Sequence, residues 1–146
     1  MRRYLPKQVR SAVLRRAQRR CEYCLSPMSC CPDPFAIEHI YPIARGGTDM
    51  LANLALSCFG CNGPKGDAIE AMDPETGVLV ALFNPRQDNW REHFCWNETL
   101  TELIGLTPVG RVTITRLKLN RLGVVNLRRL MLGSNEGHPP LWTLPE

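Results

Sequence analysis

Residues 21–67 contain CEYC (21–24), AIEHIYPIARGG (36–47) and NLALSCFGCNGPKGD (53–67). Two Cys-x-x-Cys pairs, Cys21/Cys24 and Cys58/Cys61, therefore flank a Glu-His pair and two asparagines, Asn53 and Asn62. Each two-residue spacing lets both sulfurs of a pair face one point, and four thiolates suit a closed tetrahedral zinc site that leaves no position for substrate. The expected zinc is structural. The 33 residues between Cys24 and Cys58 are more than a common zinc-finger spacing, so a further unit is expected inside that gap.

Redox dithiols and disulfides are the competing uses of such pairs. A thioredoxin-like site would need a βαβ pattern beside one pair, and none is found. The opening MRRYLPKQVRSAVLRR carries charge without the apolar run of a secretory segment, which points to a cytoplasmic setting. Cys30 and Cys31, in the Pro-rich stretch SPMSCCPDPF, and Cys95, in an aromatic cluster, are expected to be free thiols.

The 146 residues suit one domain, and no apolar run is long enough to span a membrane, so a soluble protein with no membrane partner is expected. The net charge of +4 hides a stronger pattern. Residues 1–20 hold eight basic side chains and no acid, and residues 107–132 hold six and no acid. Residues 21–106 hold twelve acids against four bases. Fifteen of the eighteen cations are Arg, whose planar fork grips phosphate oxygens in pairs where Lys acts as a point charge. Basic ends around an acidic middle favour a polyanionic partner, with a plain solvated face as the competing reading of the N-terminal block taken alone.

Along the chain, Val9, Val13 and Ala17 recur at four-residue steps among arginines, predicting an amphipathic helix over 6–20. AIEHI reads as a strand ended by Pro42 and a Gly46-Gly47 loop, and LALS as its partner. The stretch after Cys61 is expected to start a helix with Pro64 in its first turn, where a missing N–H costs nothing. DPETG is a turn signal, 78–83 a third strand, and NPRQDNWREHFCW irregular. A Thr107 cap followed by Pro108 predicts a helix despite the strand-like alternation of Val-Thr-Ile-Thr. A last basic helix is expected over 124–132, and the tail from 133 as loop. The resulting division is a basic helix (1–20), the knuckles and core (21–72), an extension (73–132) and the tail.

The segment CEYC…EHIYPIARGGTDMLANLALSCFGCNGPKG, within residues 9–67, resembles the HNH endonuclease family in its zinc-knuckle form. The family's three named positions fall on His39, Asn53 and Asn62, and Glu38 stands where Asp is more usual. Residues 73–94 resemble an extension carried by some bacterial members. The resemblance implies an α+β chain with a ββα-metal (His-Me finger) core, a divalent catalytic ion and phosphodiester cleavage.

Residue chemistry points the same way. Hydrolysing a phosphodiester requires an activated water and stabilisation of charge on the phosphoryl and departing oxygens. His39, as a neutral imidazole, is the candidate general base. Glu38 and Asn62 offer oxygen ligands to Mg²⁺ or Mn²⁺. An ideal pleat would put Glu38 and His39 on opposite faces, so their convergence requires local twist. Asn53 is expected to clamp the His39 loop through backbone hydrogen bonds. Arg45 and Lys65 are candidate phosphate contacts, with solvated side chains as the alternative for each. Arg10, Arg15, Arg16, Arg19, Arg111 and Arg116 are the candidate grips on nucleic acid. His93 is expected to pack and hydrogen-bond among aromatic residues, and His138 to lie in solvent. Two readings follow: a metal-dependent endonuclease acting on DNA, with RNA open because phosphate contacts carry no base information, or a catalytically inert zinc-stapled nucleic-acid-binding module.

Overall fold

The computed structural model describes residues 4–146, so Arg2 and Arg3 of the basic N-terminal block lie outside the described residues. The described residues form an α+β arrangement of helices and two-stranded antiparallel sheets. Helix α1 (Lys7–Arg16) precedes the first knuckle, and strands β1 (Ala36–His39) and β2 (Leu54–Ser57) pair in the register Ala36 to Ser57 through His39 to Leu54. Helix α2 (Phe59–Lys65) follows β2 directly, completing a ββα unit. The hairpin β3 (Glu70–Met72) and β4 (Leu79–Ala81) comes next, then the short helix α3 (Trp90–His93), the hairpin β5 (Phe94–Trp96) and β6 (Leu103–Gly105), and helices α4 (Pro108–Leu117) and α5 (Leu122–Met131). No helix among the described residues is long and apolar enough to cross a membrane.

The apolar stripe on α1 seats it against β2. Val13 is fully buried with Leu5, Leu54 and Leu56, and Val9 and Ala17 pack against that cluster. The helix stops at Arg16, short of the predicted 20, because Gln18 and Arg19 take positive φ and turn the chain into the first knuckle. There Glu22 N donates to Leu56 O at 2.9 Å, and its carboxylate accepts from Leu56 N at 2.8 Å. The second edge of β2 is thereby covered rather than left open to pairing.

The region after Cys61 differs from expectation. Helix α2 begins before Cys61, not after it, and Pro64 lies in its last turn. Gly66, at φ +50°, ends the helix, and 70–72 form a strand instead of continuing helical. Long-range pairing decides this: Asp73 N and Val78 O close the DPETG turn, Asp73 accepts from Thr76 Oγ1 at 2.8 Å, and the returning strand pairs with β3. The expected irregular stretch 84–96 likewise contains α3, capped by Asn89 accepting from Arg91 N, and β5.

Helix α4 forms as the cap predicts. Thr107 Oγ1 accepts from Gly110 N, and Pro108 sits in the first turn. Burial of Val112, Thr113 and Leu117 overrides the strand propensity of the Val-Thr-Ile-Thr run. The main core joins the four knuckle cysteines to Tyr23, Leu25, Phe83, Trp90, Phe94, Leu103, Val112, Leu117, Leu119 and Val124. Helix α5 docks on it through Arg128, which is 1% exposed. Its guanidinium donates to Thr101 O, Asn120 Oδ1 and Cys24 O and lies 5.1 Å from the Trp96 ring centroid. Burial draws the Arg128 pKa down to about 10.

His138 is half-buried, contrary to its expected place in solvent. Its Nε2 is 2.7 Å from Leu100 O, and its ring meets Trp96 edge-on at 5.0 Å. His93 packs edge-on to Phe83, with Nδ1 2.6 Å from Thr107 Oγ1.

Candidate metal centre and active-site cleft

Cys21, Cys24, Cys58 and Cys61 are buried, and their sulfurs all lie within 4.8 Å of one another, with Cys24 and Cys58 Sγ 3.6 Å apart. A zinc–sulfur bond of about 2.3 Å in a tetrahedron gives sulfur–sulfur edges of about 3.8 Å, so these four sulfurs fit that ion. Cys30, Cys31 and Cys95 are half-buried and stand outside the cluster.

The ββα unit opens a cleft of about 380 Å³ lined by Glu38, His39, Pro42, Ile43, Ala44, Asn62, Gly66 and Asp67. Glu38 and His39 thus reach one cavity despite strand alternation. His39 is the last residue of β1, where the chain bends away toward Pro42, and the pleat does not constrain it as it does Glu38. Asn62 arrives from α2, one residue after Cys61, so the cysteine cluster sets its position.

The loop between the strands is held as the sequence predicts. Asn53 Oδ1 accepts from Tyr41 N at 2.8 Å, while its Nδ2 donates to Tyr41 O at 3.0 Å and to Thr48 O at 2.8 Å. Gly46 takes a φ of +92°, as expected. Gly47 is glycine for a different reason: an added Cβ would sit 1.8 Å from Tyr41 O, against the clamped peptide itself.

Within the cleft, His39 Nε2 donates to Asp49 Oδ1 at 2.8 Å. This fixes one tautomer and leaves Nδ1 as the nitrogen that can accept a proton. Asp49 was not among the sequence candidates. The Gly-Gly-Thr-Asp loop offered a carboxylate ten residues from His39, but only loop closure shows that it meets the ring. Asp67, a cleft-lining carboxylate just after the Gly66 turn, was also missed.

Glu38 has two buried partners. Tyr23 Oη donates to its Oε1, and Lys65 Nζ lies 3.1 Å from its Oε2 with both side chains at or below 5% exposure. Burial pushes the Glu38 carboxyl above its ordinary value, with the Lys65 charge and Tyr23 hydrogen bond opposing that shift. Burial beside Glu38 likewise drives the Tyr23 phenol well up, so it stays a proton donor. Lys65 also donates to Ile40 O at 3.2 Å and is therefore no contact for an external phosphate, a correction to the sequence reading. Replacing Lys65 with Met leaves a buried carboxylate without its cation, and a loss of about 3–5 kcal/mol in denaturant-measured stability is expected. Because the folded-state pKa of Glu38 is raised, and rises further without Lys65, protonation favours the folded variant. The deficit should narrow as pH falls toward the carboxylate range.

The predicted cationic grips divide into two sets. Arg10, Arg15 and Arg19 are exposed, and Arg45 is exposed on the loop with Nε donating to Asp67 O at 3.1 Å across the cleft rim. Arg116 is exposed and ties α4 to Pro64 O. Arg16 is also exposed, but it donates to Leu51 O at 2.9 Å and Leu54 O at 2.7 Å, so its fork faces the loop backbone. Arg111 holds Asp73 in a bidentate pair at 3.0 and 2.9 Å, which removes its fork from phosphate binding. The Arg111 contact keeps Asp73 well below the usual carboxylate range.

No curated protein and no solved structure matches the chain. Residues 21–68 match the family model described as HNH endonuclease, so the resemblance carried by the knuckles and the Glu-His strand holds across the ββα segment and its cleft.

Proposed function

We propose that the protein is a metal-dependent endonuclease that hydrolyses phosphodiester bonds in DNA, with zinc held by Cys21, Cys24, Cys58 and Cys61 as a structural ion. The observation that carries this reading is the shared cleft of Glu38, His39 and Asn62, with the imidazole oriented by Asp49. A catalytically inert nucleic-acid-binding surface has no need of an oriented imidazole facing a carboxylate-lined cavity.

His39 acts as general base through Nδ1, taking the proton of the attacking water while Nε2 stays bonded to Asp49. Glu38 and Asn62 are the groups to hold a divalent ion, Mg²⁺ or Mn²⁺. Each Glu38 oxygen that meets Tyr23 or Lys65 keeps a second lone-pair direction, and Asp67 lines the same cavity. Such an ion supplies charge stabilisation for the phosphoryl and leaving oxygens. Asn53 keeps the His39 loop closed. The exposed Arg10, Arg15, Arg19, Arg45 and Arg116 supply contacts to the phosphate backbone, which fix position without reading sequence.

One observation favours the inert-module reading. Lys65 already places a cation 3.1 Å from Glu38, which lowers the need of that carboxylate for a metal. Incubating zinc-loaded protein with supercoiled plasmid and with a matched RNA, in Mg²⁺ or Mn²⁺, separates the readings. Nicked or linear plasmid that appears only with the added ion is the expected result. Retarded but intact DNA in both ions selects the inert module, and cleavage confined to RNA moves the substrate class.

A further inference from the structure

The cysteine cluster is met by a guanidinium from outside the 21–68 segment. Arg121, at the N-terminus of α5, places Nη1 3.5 Å from Cys61 Sγ and Nη2 3.5 Å from Cys58 Sγ. Two N–H groups of one planar fork thus address both sulfurs of the second knuckle. The knuckle is shaped to receive it: a Cβ added at Gly60, between those two cysteines, would stand 2.3 Å from Arg121 Nη2. The guanidinium is steadied by Lys118 O, which accepts from Nη1 at 3.2 Å. At the first knuckle, Arg128 donates to Cys24 O at 3.3 Å.

Four thiolates around a divalent ion leave two surplus negative charges in a buried setting, where uncompensated charge is costly. Hydrogen bonds to a ligand atom fix its orientation and offset that charge, and such outer partners typically hold 10- to 100-fold of metal affinity. We propose that Arg121 is a positioning residue of the metal centre, a two-pronged donor to Cys58 and Cys61 that helps retain the ion and couples the C-terminal helices to its binding. Gly60 is the vacancy that admits it.

This inference rests on assigning a thiolate-bound metal to the four cysteines and is independent of nuclease activity, so it is tested without DNA. Full-length protein is titrated with Zn²⁺ against a chromophoric chelator, and separately loaded with Co²⁺ to record the sulfur-to-cobalt charge-transfer band. Arg121→Ala is expected to weaken zinc about 10- to 100-fold and to move the band to lower energy, because sulfur lone pairs lose their N–H donors. Arg121→Lys, which keeps the charge but loses the fork, should recover part of the affinity. Gly60→Ala should reproduce the loss with Arg121 intact. Affinity within twofold of the parent in both Arg121→Ala and Gly60→Ala overturns the proposal, as does weakened binding with an unmoved band, which marks a folding defect. Absence of any charge-transfer band in the parent protein overturns the metal assignment instead.

Discussion

Removing zinc with a strong chelator is expected to collapse the main core rather than merely loosen a surface loop. The four cysteines are members of the same buried cluster as Tyr23, Trp90, Phe94, Val112 and Leu117, so the sulfurs proposed to hold the ion are also core packing positions. Apparent zinc binding contributes about 10–16 kcal/mol in zinc-finger peptides. A domain's whole stability is about 5–15 kcal/mol. The two ranges overlap, so the ion's contribution is comparable to the whole stability, and folding without it should be lost under ordinary conditions. Trp90 makes this measurable. It packs 5.5 Å from Phe94 and 5.6 Å from Trp142, and its fluorescence should change in parallel with the loss of far-ultraviolet helical signal. Restoring zinc in stoichiometric amount should reverse both. A metal-free chain with an unchanged cooperative unfolding midpoint would show that the sulfurs are a passive part of the core.

The second large effect concerns His39. Substitution by Ala should lower the single-turnover rate of plasmid cleavage by about 10²- to 10⁴-fold, the usual contribution of a positioned general base. DNA affinity should stay near the parent value, because the exposed arginines on α1 and the loop are untouched and His39 is itself mostly covered, at 19% side-chain exposure. Fluorescence anisotropy on a labelled duplex reads binding separately from cutting. Equal cutting by the variant would take His39 out of the reaction, while equal loss of binding and cutting would mean the substitution had disturbed the loop.

Where local chemistry dominates, the fold was readable in advance. Leu54 to Ser57 forms the strand that LALS predicts, and Thr107 with Pro108 opens α4 where the cap signal placed it. The two Cys-x-x-Cys pairs converge on one point, and Glu38, His39 and Asn62 line one cleft. Of the three-residue strands, β4 falls in the predicted 78–83 run, whereas β3, β5 and β6 were not readable, because their residues show no periodicity of their own and pair only through their partners. Charge roles were the least legible. Lys65, Arg16 and Arg111 look like free cations in the sequence, yet their partners Glu38, the carbonyls of Leu51 and Leu54, and Asp73 lie 27 to 38 positions away. The Asp49 contact to His39 spans only ten residues, but its direction depends on how Gly46 and Gly47 fold the intervening loop.

The two carbonyls that Arg16 holds, at Leu51 and Leu54, bracket Asn53, and Asn53 in turn grips the peptide two residues beyond His39. Helix α1 is thereby tied to the His39 loop by side-chain hydrogen bonds to its backbone. Under the function proposed above, a polyanion anchored on α1 would therefore also restrain the His39 loop, through the two Arg16 and two Asn53–Tyr41 hydrogen bonds.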